Sequence, residues 1–188
     1  MSFLHHPAFQ SLVLPLALAV LACLLLRLAG PRWASLGAAL GLVIALAIWP
    51  GFDWPARSRV QMLPWVTLVG TVLAALATEL HAPGTRALGR VRGRVSTLLL
   101  TLAALALAAW AAVGGSLLLA QLAAMLGSVA GVLVLVSWRS ASITPAALLP
   151  LWLHGIGIAL CLAGLPAAAP EGAGGSDADD PYYAPRWK

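Results

Sequence analysis

The longest uncharged stretch of the chain covers residues 95–138, which contain no Asp, Glu, Lys or Arg. About 20 consecutive apolar residues are enough for a helix to cross a bilayer, so this stretch has room for two crossings. The chain must turn inside it, and Gly114-Gly115-Ser116 is the strongest helix-breaking sequence there. The stretch therefore predicts two membrane-spanning helices joined by a tight turn.

The composition extends this prediction to the whole chain. Of its 188 residues, 61% are hydrophobic and 9% are charged, whereas a soluble domain carries about 25% charged residues. We therefore predict an all-α fold, a polytopic bundle of transmembrane helices without a soluble domain. The net charge of +5 does not indicate nucleic-acid binding, because most of the arginines lie between predicted spans, where membrane topology alone would put them.

Hydropathy divides residues 1–165 into a bundle of about six spans. The predicted spans are 9–26, 33–49, 60–78, 95–113, 117–138 and 143–165. Thr144-Pro145 is a plausible start for the sixth span, since proline is favoured in the first turn of a helix. Residues 166–188 are predicted to be a flexible tail that is acidic and then aromatic.

The arginines predict how the bundle is oriented. With six spans, one side of the membrane carries seven of them: Arg27, Arg32, Arg86, Arg90, Arg92, Arg94 and Arg139. The other side carries four basic residues: Arg57, Arg59, Arg186 and Lys188. The positive-inside rule then places both termini on the non-cytoplasmic side. We expect a multi-pass protein of the bacterial inner membrane.

One ionisable side chain, His154, lies near the middle of a predicted span. Its helix face holds Pro150, Gly157 and Cys161, and this small, polar face should point into the bundle. An ionisable residue inside a membrane is a candidate functional site. A neutral imidazole, however, needs only one hydrogen-bond partner, so a structural role is the competing interpretation. As a ligand, His154 would hold a chlorophyll or a haem; otherwise we expect no cofactor.

Ser128 is predicted at a depth similar to that of His154, so a serine–histidine pair must be considered. The sequence LHGIG, residues 153–157, resembles the histidine helix of the rhomboid intramembrane proteases. The sequence GSVAG, residues 127–131, departs from that family's G-x-S-G nucleophile motif. The chain also has no P-loop, HExxH or CxxC motif. We therefore expect no catalytic residues, no metal site and no enzyme.

Two further groups of charged residues are candidate sites. Glu79, at the end of the third span, is either a paired helix-end carboxylate or part of a proton or cation relay with His154. Thr67, Thr71 and Thr78 on the same helix favour the relay. The residues between the third and fourth spans are candidates for binding anionic lipid headgroups. They are Arg86, Arg90, Arg92 and Arg94.

Small residues and the tail predict contacts with other helices or subunits. Gly37 and Gly41 on the second span, and Gly127 and Gly131 on the fifth, recur every four residues, a spacing typical of close helix packing in lipid. The tail ends in Tyr182, Tyr183 and Trp187, residue types that are enriched at binding hot spots.

Cys23 and Cys161 are predicted at different depths, too far apart for a disulfide.

Three functional hypotheses remain at this point. The first is a non-catalytic accessory or scaffold subunit of a membrane complex. The second is a small transporter or channel that uses His154 and Glu79. The third is a pigment- or haem-binding subunit that uses His154. The sequence names neither a substrate nor a partner beyond the lipid bilayer and other membrane subunits.

Overall fold

The computed structural model describes residues 9–30, 33–52, 54–56, 58–80, 86–139, 143 and 145–164, and within them it is helical, with no strand. The helices are α1 (Leu14–Ala29), α2 (Leu36–Ile48), α3 (Leu63–Leu80), α4 (Arg86–Val113), α5 (Leu117–Arg139) and α6 (Pro145–Ala163). A π-helical turn, Phe9–Val13, leads into α1, and a 3-10 turn, Val60–Met62, leads into α3. The predicted all-α class is confirmed for this part of the chain.

The turn between α4 and α5 lies at the predicted glycine pair. The N–H of Gly114 donates to the carbonyl of Trp110, and that of Ser116 donates to the carbonyl of Ala111, which closes the last turn of α4. Gly115 has φ +76°, a left-handed conformation that a residue without Cβ adopts at little cost. This glycine ends α4 and lets α5 return beside it.

Helix α4 begins earlier than the sequence predicts. We expected the arginines before residue 95 to lie in a loop, but α4 starts at Arg86 and includes Arg90, Arg92 and Arg94. Hydropathy detects where a helix enters the apolar layer and not where it begins, and arginine is a good helix former in water. The first turns of α4 therefore extend the helix beyond its apolar segment, which starts at Gly93.

Helix α2 is shorter than its predicted span and lies in the interior. Nine of its 13 residues are buried. At 1.5 Å per residue it is about 20 Å long, against a hydrocarbon layer of about 30 Å. Two turns precede α2 and lengthen the helical segment at its N-terminal end. In them the N–H groups of Leu36 and Gly37 donate to the carbonyls of Trp33 and Ala34.

The helices pack mainly as three pairs, α1 with α2, α3 with α6, and α4 with α5. All three pairs are antiparallel. On α1 and α2, for example, Gly37 faces Cys23 while Gly41 faces Ala19. The core lies between the pairs, where side chains of α2, α5 and α6 such as Leu46, Leu126 and Ile158 are fully buried.

The outward faces of the bundle are apolar. Leu24 on α1, Val69 on α3 and Leu102 on α4 are each more than half exposed. Water would penalise such a surface by about 25 cal/mol per Å². Five of the described helices are long and apolar enough to cross a membrane, and α2 is the shorter one. The fold is thus a helical bundle whose surface indicates a multi-pass membrane protein.

Candidate functional site

His154 is fully buried and joins α6 to α3. Its Nδ1 lies 2.7 Å from the Oγ1 of Thr67, and neither side chain has any exposed surface. Close packing of the two helices brings these groups together, because Gly157 lies directly against Leu63 and Gly70 lies against Pro150. A Cβ on Gly70 would lie 3.1 Å from the Cα of Pro150, so a larger residue there would press on the backbone of α6, whereas at Gly157 it would meet the movable end of the Leu63 side chain.

The Nδ1 nitrogen of His154 faces the hydroxyl group of Thr67. That hydroxyl group also bonds within its own helix, to the carbonyl of Leu63 at 2.8 Å. Nε2 is buried and has no hydrogen-bond partner in the part of the chain that the structure describes.

The threonines of α3 bond to their own helix. Thr71 donates to the carbonyl of Thr67 at 2.7 Å and Thr78 to that of Ala74 at 2.8 Å. Their protons are therefore held within α3. Glu79 is exposed at the last turn of α3, twelve residues or about 18 Å along the helix from Thr67. His154 and Glu79 thus do not form one site, and a relay between them would have to follow α3.

Ser128 does not complete a pair with His154. Its hydroxyl donates to the carbonyl of Ala124 at 2.9 Å on its own helix. His154 instead pairs with Thr67, a residue that the sequence placed on the polar face of its span but not opposite the histidine. The geometry needed for a serine nucleophile, a hydroxyl donating to a ring nitrogen, is not present between these two residues.

Arg94 links the N-terminal part of α4 to the C-terminal end of α5. Its Nε and Nη2 donate to the carbonyl of Ser137 at 3.3 and 3.1 Å. The last carbonyls of a helix lack partners within the helix, and a cation there also opposes the negative end of the helix dipole. Arg86, Arg90 and Arg92 lie on the same helix, but their side chains are outside the described part, so their lipid-binding role stays a prediction.

The four glycines of the predicted packing faces lie in different surroundings. A Cβ on Gly37 would lie 2.5 Å from the Cα of Cys23, and one on Gly41 would lie 2.5 Å from the Cα of Ala19. A Cβ on Gly127 would be in ordinary contact with Ala104 at 3.7 Å, and one on Gly131 would meet nothing within 4 Å. Direct contact between helix backbones is therefore found at α1 and α2, and not at Gly131.

A groove between α4 and α6 is the feature that sequence reasoning missed. It has a volume of about 390 Å³, with Leu126 of α5 among its lining residues. One wall is Trp152, which lies well inside α6. The indole Nε1 of Trp152 donates to the Oγ of Ser96 at 3.3 Å and links α6 to α4.

Tyr182, Tyr183 and Trp187 lie outside the described residues, so their predicted docking role has no structural test.

The fold and the site together define a class: a bundle of apolar helices with one buried histidine bridging two of them. The chain matches no protein-family model, no curated protein and no solved structure. Its function must therefore be argued from its own residues.

Proposed function

We propose that the chain is a six-span protein of the bacterial inner membrane with both termini on the non-cytoplasmic side. The antiparallel packing of α2 against α1 supports a sixth crossing by α2, although that helix is short. The turns at Trp33 and Ala34, and the bond from the Trp49 N–H to the carbonyl of Ala45, lengthen the helical segment at its two ends. Phe52 and Trp54 pack edge-on against Trp65 with ring centroids 5.1 and 5.7 Å apart, an aromatic group that fits a membrane interface.

Within this membrane protein, we propose a non-catalytic role as an accessory or scaffold subunit of a membrane complex. The observation that carries the proposal is the contact of Thr67 with His154. The buried imidazole of His154 is used to tie two helices together. The hydroxyls of Thr71 and Ser128 likewise donate to carbonyls of their own helices. The polar groups of the bundle thus stabilise its architecture.

A test of this role is purification of the full chain in a mild detergent, followed by native gel electrophoresis. A scaffold subunit should migrate with other membrane proteins in a fixed ratio. Tyr182→Ala combined with Tyr183→Ala and Trp187→Ala should weaken that association, while Lys188→Ala serves as the control in the same tail. A chain that runs only as a monomer, before and after chemical cross-linking in the membrane, would contradict the proposal.

One observation favours a second candidate function, a tetrapyrrole-binding subunit. Nε2 of His154 is buried without a hydrogen-bond partner among the described residues, and a hydrogen bond at the other ring nitrogen is how proteins orient a ligating histidine. A haem or chlorophyll supplies its metal with four nitrogen ligands of its own, and His154 would be the residue that holds it. The helices would have to separate to admit it, because Nε2 has no open space beside it.

An absorbance spectrum of the purified protein distinguishes this candidate from the first. A pigment or haem protein should show visible absorption that is lost in His154→Leu and retained in Ser128→Ala, since the Ser128 hydroxyl donates within its own helix. A colourless protein purified from cells supplied with haem precursors would rule out a haem.

A further inference from the structure

The groove between α4 and α6 lies within the apolar layer of the proposed membrane. Its lining residues belong to the segments Gly93–Val113, Leu117–Trp138 and Ala146–Ala163, which are the apolar parts of their helices. Two of its lining side chains carry a polar atom, the indole nitrogens of Trp110 and Trp152, and the N–H of Trp152 already donates to Ser96. The other lining residues are Leu, Ile, Ala and Gly, so the groove contacts its occupant mainly through hydrocarbon.

The groove extends through about half of the bilayer. On α4 its lining runs from Leu100 to Trp110, ten residues or about 15 Å along the helix, half of a hydrocarbon layer of about 30 Å. On α6 it runs from Trp152 to Ala159, four residues short of the helix end. Trp110 is 67% exposed and lies three residues before the end of α4, where an indole marks the membrane interface.

We infer that this groove binds one acyl chain of a phospholipid in the leaflet that contains Trp110. The length of the groove fits a chain that begins at the headgroup level and ends near the midplane. A transmembrane helix of a partner would instead need a complementary surface across both leaflets. The volume of about 390 Å³ lies within the range of about 300–1,000 Å³ found for small-ligand sites.

Small side chains keep the groove open. Ala106 on α4 and Ala159 on α6 are among its lining residues. A phenyl ring at either position would occupy the space of the acyl chain. Ala109, also on α4, is exposed but is not part of the lining. It therefore offers a matched control, because the same substitution there adds the same apolar area without filling the groove.

The experiment is native mass spectrometry of the full chain after reconstitution into vesicles of phosphatidylethanolamine and phosphatidylglycerol and extraction in a mild detergent. The wild type and Ala109→Phe should both carry one retained phospholipid, and Ala106→Phe and Ala159→Phe should lose it severalfold. Circular dichroism checks that all four proteins keep the same helix content, and two groove variants guard against one that fails to fold.

Several results would overturn the inference. Retention of the phospholipid by both folded groove variants would show that it binds elsewhere. A retained mass equal to a free fatty acid would give the groove a different ligand. Loss of a second protein chain, in place of a lipid, would identify the groove as a helix-docking face. The inference does not depend on the scaffold role, since lipid retention and subunit association are separate readouts.

Discussion

Gly41 of α2 lies directly against the backbone of Ala19 of α1, so that a Cβ on Gly41 would be 2.5 Å from the Ala19 Cα. One turn earlier, Gly37 stands in the same relation to Cys23. Close approach of this kind strengthens the dispersion contacts between helices. These contacts matter in a membrane because lipid tails are as apolar as the side chains, so there is no hydrophobic force that drives helices together. It also explains how the short helix α2 is held in the interior.

The same substitution at two glycines should have opposite effects. Gly41→Ala should destabilise the bundle by about 1–3 kcal/mol, because the added methyl group meets backbone that cannot move aside. Gly131→Ala should be neutral or stabilising by up to about 1 kcal/mol, because it adds helix propensity in open space. Denaturation of the two variants in a detergent titration measures both. Equal stability of the two would contradict the packing described for α1 and α2.

The number of spans decides where the C-terminus lies. With α2 crossing the membrane, six spans place both termini on the non-cytoplasmic side; without it, the two termini lie on opposite sides. A reporter that is active only outside the cytoplasm should therefore work when fused after Lys188. A second fusion at Ala56, between α2 and α3, should also be active. Activity of a cytoplasm-only reporter at Lys188 would reject this orientation.

Cys23 and Cys161 should remain free thiols. Both are buried, and they lie on different helix pairs, since α1 packs on α2 and α6 packs on α3. A disulfide requires Cα atoms within about 7 Å. Non-reducing electrophoresis should show one mobility, unchanged by reductant and by Cys23→Ser. A shift on reduction that disappears when either cysteine is replaced would show that the two residues meet.

The sequence predicted the helical class and the turn at Gly114-Gly115 because both depend on local chemistry. Apolar length identifies a helix that crosses lipid, and a glycine that must adopt positive φ marks where the helix ends. Pro145 begins α6 for a similar local reason. The start of α4 at Arg86 escaped prediction because hydropathy does not detect the part of a helix that extends into water.

The partner of His154 depends on tertiary structure and could not be read from the sequence. Ser128 was predicted at a depth similar to that of the histidine, yet the partner is Thr67, so predicted depth does not identify the partner. The partner is determined by the packing of α3 against α6, two helices that are separated along the chain by α4 and α5. The groove that contains Trp152 has the same origin, since its walls come from helices that are not consecutive.

We propose that His154 ties α3 to α6 and neither binds a ligand nor transfers a proton, and His154→Gln tests this proposal most directly. Glutamine keeps a donor and an acceptor at similar length, and interhelical hydrogen bonds in membranes contribute only about 0.6 kcal/mol on average. Thr67 would also keep its bond to the Leu63 carbonyl. We predict that His154→Gln retains the stability of the wild type to within about 1 kcal/mol and complements a deletion strain as well as the wild type does. Glutamine neither titrates nor ligates as imidazole does. A His154→Gln protein that is folded but has lost a bound chromophore, or no longer rescues a phenotype that the wild type rescues, would contradict the structural role.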